Sequence, residues 1–244
     1  MHKVCFIPAR SKSKRLLNKN VLNLGELPLV CWTIIFAIKS NHFNEVIFST
    51  DSDKYVDTVK EVLKNFKIND DVVTYQIRNK DFCNDKTKIF DYLKHGFSHD
   101  VLDDKGGTIV QMLPTSPFRS YEEFSEAMNL FDTSKKNVFS CVKYDFHIKF
   151  AFSMKDSEYE PLFKDSPMVT GNTRSQSQNT YYHPTGTFYI LDYGKLKKDM
   201  KTIYTNSLGY EVGKTSSIDI DEQEDFDFAQ SIAMTEIKKL IKLQ

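Results

Sequence analysis

Five cationic side chains, Arg10, Lys12, Lys14, Arg15 and Lys19, fall within ten residues in the stretch PARSKSKRLLNKN, which closes on Asn20. Arginine offers a planar fork that matches phosphate oxygens, and lysine offers a mobile point charge. The four residues before Pro8, Val4 to Ile7, are apolar and predict a short buried strand that breaks at Pro8-Ala9. A strand emptying into a cation-dense loop at one sheet edge is a place to hold phosphates. The same composition also describes a solvated basic loop, and the loop alone does not choose between the two.

Two further groups of residues could do chemistry. In SIDIDEQED, Asp219 and Asp221 alternate along a segment read as extended, so their carboxylates share a face about 7 Å apart. Such a pair can hold a hard cation such as Mg²⁺. Asp221 also precedes a helix, with Glu224 three residues on, so an N-cap is an equally simple use for it. Asp219, inside the extended segment, calls for a partner. The third group lies in RSQSQNTYYHPTGTFYI, where Arg174, Gln176, Tyr182, His183 and Gly186 precede or enter a strand. These groups suit recognition of a polyol or a carboxylate, with His183 read as a surface turn residue. No Ser-His-Asp or Cys-His spacing, P-loop or GxGxxG is present.

The elements that must position these residues alternate regularly. Apolar runs at Val46–Ser49, Val72–Gln76, Thr108–Leu113 and Val138–Val142 predict strands. Helices are predicted from Pro28, over 53–66, over 89–97 and over 121–131, the last with a Ser120/Glu123 capping box. Such alternation predicts an α/β chain with a mostly parallel sheet covered by helices on both faces. Ligands then bind outside the carboxyl ends of the strands. PARSKSKR, STDSD and PTSPFR each directly follow a predicted strand, so all three polar segments land on that edge. This coincidence favours the phosphate reading of the first loop. Residues 144–185 break the alternation and form an excursion with a strand over Lys149–Met154. The chain returns with strands over Thr187–Leu191, Glu211–Gly213 and Ser217–Ile220, and a last helix over 222–243.

Bulk properties exclude several classes. The chain has 244 residues, with Lys+Arg 33 against Asp+Glu 33 and a formal net charge of +0. That balance argues against a nucleic-acid binder working by bulk charge, so an anion site must be a local cluster. Hydrophobic residues make up 40% and charged residues 27%, the range of soluble globular proteins. Cys5, Cys31, Cys83 and Cys141 are too far apart for zinc or redox spacing and suit a reducing cytoplasm. No signal-peptide core or membrane span is read in the sequence.

Taken together, IPARSKSKRLLNKN, STDSDKY, PTSPFR, RSQSQNTYYHPTGTFYI and DIDEQEDFDFA resemble, in order and spacing, the motifs of the CMP-sialic acid synthetase (acylneuraminate cytidylyltransferase) family, which includes CMP-legionaminate and pseudaminate members. The resemblance spans nearly the whole chain. It implies a Rossmann-like nucleotidyltransferase fold over 1–244 and a homodimer in which residues 144–185 form the contact and reach the partner's site. It also implies a reaction: the anomeric hydroxyl of a nine-carbon acidic sugar attacks the α-phosphorus of CTP, and pyrophosphate leaves. On this resemblance Arg10 and Lys19 bind the triphosphate, with Ser13 and Lys14 in the same loop. Asn20 and Arg78 hold the nucleotide, the arginine near the base. Gln111, Thr115, Arg174, Gln176, Tyr182 and Gly186 form the sugar side. Asp219 and Asp221 hold Mg²⁺, and one of them helps deprotonate the hydroxyl; Arg10, Lys19 and Asp221 make up the catalytic set.

The chain departs from the family pattern in three places. Ser11-Lys12 stand where many members have glycines, which implies a less permissive loop backbone. Arg78-Asn79 replaces the usual Arg-Pro. Leu113 occupies the place of the glutamine before PTSP, with Gln111 two residues earlier on the same predicted strand face. The alternatives to nonulosonic acid activation are nucleotidyl transfer to another acidic sugar, such as an octulosonate, and a catalytically lapsed nucleotide-binding homologue.

Overall fold

Successive side chains of the first strand, Lys3–Ala9 (β1), enter two different apolar cores. Cys5, Ile7 and Ala9 join the larger cluster, and Val4 and Phe6 join the smaller one on the opposite sheet face. A strand buried on both faces reads as a continuous apolar run, which is why no alternation marks it in the sequence. The computed structural model describes residues 1–79, 82–83, 87–172 and 179–241.

In chain order β1 is followed by a small hairpin, β2 (Asn23–Leu24) and β3 (Leu27–Pro28), and then by α1 (Leu29–Lys39), β4 (Glu45–Thr50), α2 (Asp53–Asn65) and β5 (Val73–Ile77). Next come α3 (Ile89–Asp91), α4 (Asp100–Lys105), β6 (Thr108–Gln111), α5 (Tyr121–Ser134) and β7 (Asn137–Lys143). The excursion holds β8 (Phe152–Lys155), β9 (Glu158–Pro161) and α6 (Pro167–Thr170). The chain closes with β10 (Tyr182–Asp192), α7 (Tyr193–Lys198), β11 (Ser207–Glu211) and α8 (Gln223–Ile241).

The main sheet has seven strands in the order β11-β7-β10-β6-β1-β4-β5. Pairs β1/β4, β1/β6, β4/β5 and β7/β11 are parallel, and only β10 runs antiparallel to its neighbours. The expected mostly parallel sheet is therefore present, with helices on both faces. Strand order runs outward from β1 through β4 to β5, then resumes on the other side of β1 with β6. That reversal opens a crevice at the carboxyl ends of β1 and β6.

The larger core packs α1, α2, α5 and α8 against one face; α1 is buried from Leu29 to Ala37, as its all-round apolar sequence predicts. Phe124 of α5 joins this layer, its ring touching Phe36, Phe43 and Phe188. The smaller core lies beneath the π-helical turn Tyr92–Gly96, α4 and α7.

Several elements differ from the sequence expectation. The helix over 89–97 is a three-residue α3 that widens into the π-helical turn, because Phe97 turns into the core at 2% exposure. Helix α4 is capped by the His99 ring, whose Nδ1 accepts from Leu102 N at 3.3 Å; histidine lies outside the usual capping set. The strand over Lys149–Met154 is replaced by a 3-10 turn at Ile148–Phe150, with β8 beginning at Phe152. Ser217–Ile220 is not a strand: a turn over 214–217 leads into a connection anchored by Ile220 N to Thr115 O at 2.8 Å.

Phe124 is fully buried. We expect Phe124→Ala to lower unfolding free energy by about 3–5 kcal/mol, read as a lower urea midpoint at unchanged slope.

Candidate active site

The basic loop leaves β1 at Ala9, where β1 pairs in register with Thr50 of β4. Its backbone is held by the strand beside it. Asp51 accepts from Ser11 N at 2.7 Å and from Ser11 Oγ at 3.1 Å, and Tyr55 OH donates to Ser11 O at 3.3 Å. Asp51 is therefore spent on the loop and not on capping α2, which has no side-chain cap. The residue that replaces a glycine here thus supplies an anchoring hydroxyl. Neither Ser11 nor Lys12 has a positive φ; the left-handed residue of the loop is Asn18, at φ 54°. Asn20 Nδ2 closes the loop by donating to Arg10 O at 3.0 Å.

Around this loop lies a cavity of about 490 Å³. Arg10, Lys14, Arg15, Lys19 and Arg78 line it with Ser13, Asn20, Leu113 and Thr115, and Asp221 is the one carboxylate among its described lining residues. Five cations against one carboxylate make it a site for an anion carrying more than one charge.

Lys19 is the most buried cation of the basic loop, with the whole residue 8% exposed. Its Nζ donates to Ile220 O at 2.6 Å and to Asp221 Oδ1 at 3.0 Å. Arg15 Nη2 meets the other oxygen, Asp221 Oδ2, at 2.7 Å. Burial works to raise the Asp221 carboxyl, but hydrogen bonds and charges from Lys19 and then Arg15 outweigh it and hold it below the usual carboxylate range. The N-cap alternative for Asp221 is answered by Asp225. Its Oδ2 accepts from both Asp221 N and Glu222 N at 2.9 Å, which leaves the Asp221 side chain turned to the cavity.

Asp219 does not match its expectation. It is exposed, hydrogen-bonds to no described residue and is not among the cavity's lining residues. Its carboxylate acts electrostatically on Arg119. The strand that was to bury it and aim it beside Asp221 is absent, so water satisfies it.

The sugar-side residues separate. Thr115 lines the cavity. Gly186 touches the same turn: a Cβ there would lie 2.7 Å from Ser116 Oγ, and Gly186 O accepts from Leu113 N at 3.2 Å. Its contribution is close approach of backbones and not a polar group. Gln111 is 4% exposed and not among the cavity's lining residues. Strand β6 ends at Gln111, so the alternation that put it on the same face as Leu113 stops there, and Leu113 faces the cavity. Tyr182 lines a different cavity, with Phe139, Cys141, Tyr204 and Glu211. Arg174 and Gln176 lie outside the described residues.

Three residues with a part in the site carry no assignment from sequence. Arg15, counted only as loop charge, is the second cation on Asp221. Cys83 lines the cavity beside Arg78. Arg119, the last residue of PTSPFR, donates through Nη2 to Leu113 O (2.7 Å), Nε to Thr187 O (2.8 Å) and Nη1 to Thr33 Oγ1 (2.8 Å). It thereby ties the turn after β6 to β10 and α1. Removal from water pushes its guanidinium down to about 9, with the charge of Asp219 among those opposing, so it stays charged at neutral pH. Its place at the end of a motif after a strand was the available signal. A separate trio, His2, Glu45 and His99, gathers at the opposite edge, by the starts of β1 and β4. Both His99 nitrogens are engaged there, by Glu45 Oε2 at 2.8 Å and Leu102 N at 3.3 Å.

The cytidylyltransferase family profile matches residues 4–240. An N-acylneuraminate cytidylyltransferase of Escherichia coli O18:K1:H7 is 31% identical over 245 residues, 98% of this chain and 54% of that protein. A pseudaminic acid cytidylyltransferase of Campylobacter jejuni is 23% identical over 231 residues, 94% of this chain and 95% of its own length. This chain thus spans about half the length of the Escherichia and Streptococcus relatives and nearly all of the Campylobacter one. A CMP:2-keto-3-deoxy-manno-octonic acid synthetase solved in complex with CTP superposes with TM-score 0.64 at 14% identity, covering 97% of this chain and 100% of that one. This last likeness is one of fold.

A carboxyl whose folded-state pKa is depressed stabilises the protein above its unfolded pKa and loses that contribution as pH falls through the folded value. Asp221→Asn is therefore expected to flatten the acid limb of the melting-temperature profile below roughly pH 5, followed by circular dichroism. A profile parallel to wild type would remove the ion pair from this account.

Proposed function

The chain belongs to the cytidylyltransferase family, and from that premise we propose that it activates an acidic nine-carbon sugar, a nonulosonic acid, by transferring CMP from CTP with release of pyrophosphate. The observation that carries this reading is the convergence of Arg10, Lys14, Arg15, Lys19 and Arg78 on one cavity at the carboxyl ends of β1 and β6. The printed activities of the relatives, on N-acylneuraminate and pseudaminic acid, supply the sugar class.

In this reading the sugar's anomeric hydroxyl attacks the α-phosphorus, the bond to the β-phosphate oxygen breaks, and pyrophosphate carries away the electron pair. Such a transfer asks the protein mainly for positioning and charge neutralisation. Arg10 and Lys19, with Ser13 and Lys14, take the triphosphate. Asn20, braced on Arg10 O, and Arg78 hold the nucleoside. Thr115 and the turn packed on Gly186 border the sugar. Asp221, held below the ordinary carboxylate range, is a weak base and suits charge neutralisation better than proton removal. The hydroxyl proton therefore leaves to water, Asp219 lying outside the cavity lining.

The carboxylates proposed to hold a hard divalent cation are Asp219 and Asp221, of which Asp221 already meets Lys19 and Arg15. The Asp219 carboxylate hydrogen-bonds to no described residue, and Asp221 stands two residues on at the cavity wall. Mg²⁺ takes one or two carboxylates plus substrate phosphates and water. When bound, it supplies neutralisation of the charge that builds on the leaving pyrophosphate.

We further propose that the chain works as a homodimer through the 144–185 excursion. The β8–β9 hairpin exposes Phe152, Met154 and Tyr159, an apolar surface that a second copy would cover. No described helix is long and apolar enough to cross a membrane. The four cysteines are free and buried, which supports a reducing, cytoplasmic setting.

Mg²⁺-dependent pyrophosphate release is expected with CTP and at least one member of a panel of nonulosonic and octulosonic acids, with the CMP-sugar identified by mass. Silence across the panel would sink the transferase reading. Arg10→Ala should weaken CTP binding by roughly 1.5–3 kcal/mol in calorimetry, the scale of a hydrogen bond to a charged group. Unchanged affinity would remove Arg10 from the triphosphate site.

A further inference from the structure

Arg78 leaves the end of β5, its backbone N–H donating to Thr50 O at 2.7 Å. The residue is 4% exposed and lines the cationic cavity. Its guanidinium lies over the Tyr92 ring, 5.4 Å from the centroid, and its Nε donates to Cys83 Sγ at 3.0 Å. The thiol in turn points back to Arg78 O at 3.9 Å. Tyr92 is itself fixed, its hydroxyl donating to Gln76 Oε1 at 3.3 Å, an oxygen that also accepts from Ser49 Oγ at 2.8 Å. Ring and thiol thus hold the guanidinium while Nη1 is buried without a hydrogen-bond partner among the described residues. An unpaired buried donor on a charged group is costly, and an acceptor on a bound ligand recovers that cost.

Cys83 differs from the other three cysteines. Cys5 and Cys31 are sealed in the core at 0% exposure, and Cys141 lines the other cavity. Cys83 lines the cavity that holds the basic loop, at 8% exposure. A substituent on its sulfur would take up cavity volume and remove the acceptor that orients Arg78.

We propose that Cys83 is the positioning residue for Arg78 and that its thiol is a modification site through which low-molecular-weight disulfides close the nucleotide cavity. The inference rests on the nucleotide reading of this cavity. In the step, the Cys83 thiol loses its proton to solvent and the thiolate attacks one sulfur of the disulfide. The Cys83 S–S bond forms as the reagent's S–S bond breaks. The second sulfur leaves as a thiolate and is the reduced product, and a thiol reductant reverses the exchange.

The test uses the full chain and 2,2′-dipyridyl disulfide, with the adduct mapped by mass spectrometry and CTP binding measured by calorimetry. The adduct is expected on Cys83 in the native protein, CTP is expected to slow its formation, and the modified protein is expected to lose at least tenfold in CTP affinity until reduced. Cys83→Ala should weaken CTP binding roughly threefold to tenfold, the range of one modest hydrogen bond. Cys83→Ser, which keeps an acceptor but cannot exchange, should recover most of that loss. Labelling that CTP does not slow, or a Cys83→Ala protein that binds CTP as wild type does, overturns the inference while leaving the nucleotide site intact. Failure of unmodified wild type to bind CTP overturns the nucleotide reading first, and the inference with it.

Discussion

A buried lysine facing a carboxylate some two hundred residues away is the interaction on which the site depends. Lys19 cannot sit at 8% exposure without compensation, because an isolated buried ammonium is expensive. Ile220 O and Asp221 supply that compensation, and they come from the connection into the last helix. The constraint works in both directions. The basic loop needs the C-terminal segment to neutralise its deepest charge, and the segment is held to the loop by the same contacts. Arg15 on the second carboxylate oxygen makes the arrangement a charge cluster with net positive character. A polyanion entering the cavity therefore meets cations already held in place, at little further ordering cost.

The scaffold around this pair is economical in what it fixes. Parallel pairing of β1 with β4 and β6 brings three strand ends to one edge. Asp51 pins the loop from one side, and Arg119 pins the turn after β6 from the other. Gly186 leaves room for β10 to pack against the Ser116 and Leu113 side chains of that turn. Asp51 on Ser11, Gly186 on the turn, and the Arg119 bonds to Thr187 O and Thr33 Oγ1 cross between segments far apart in sequence, and they bear on the shape of the cavity and not on its charge. Shape and charge are thus supplied by separate residues.

Much of the fold could be read from residue patterns because the relevant physics is local. Apolar runs bounded by turns located the parallel strands, and Ser120 caps α5 as its spacing predicts, accepting from Glu123 N at 3.3 Å. The reciprocal half of that capping box is absent, since Glu123 Oε1 accepts instead from Gly213 N at 2.7 Å. Where non-local packing decided, the local pattern misled. Phe97 seeking the core turned a helix into a π-helical turn, and a histidine cap hid α4. The Asp219 segment reads as a strand by alternation but forms none, its backbone being drawn instead to the turn after β6 and the basic loop, with Ile220 N donating to Thr115 O and Ile220 O accepting from Lys19 Nζ.

By itself the sequence determined the cation-rich loop after the first strand, the three polar segments on one sheet edge, and the motif order shared with the cytidylyltransferases. These depend on residue type and spacing along the chain. Only the tertiary structure decided how the charges pair. It set Asp221 on Lys19 and Arg15, left Asp219 in water, kept Gln111 and Tyr182 out of the cavity lining, and placed Cys83 against Arg78. The physical reason is that pairing energies fall steeply with distance and rise with burial. Neither quantity is written in sequence separation: Lys19 and Asp221 are adjacent only because the sheet and the last connection bring them together.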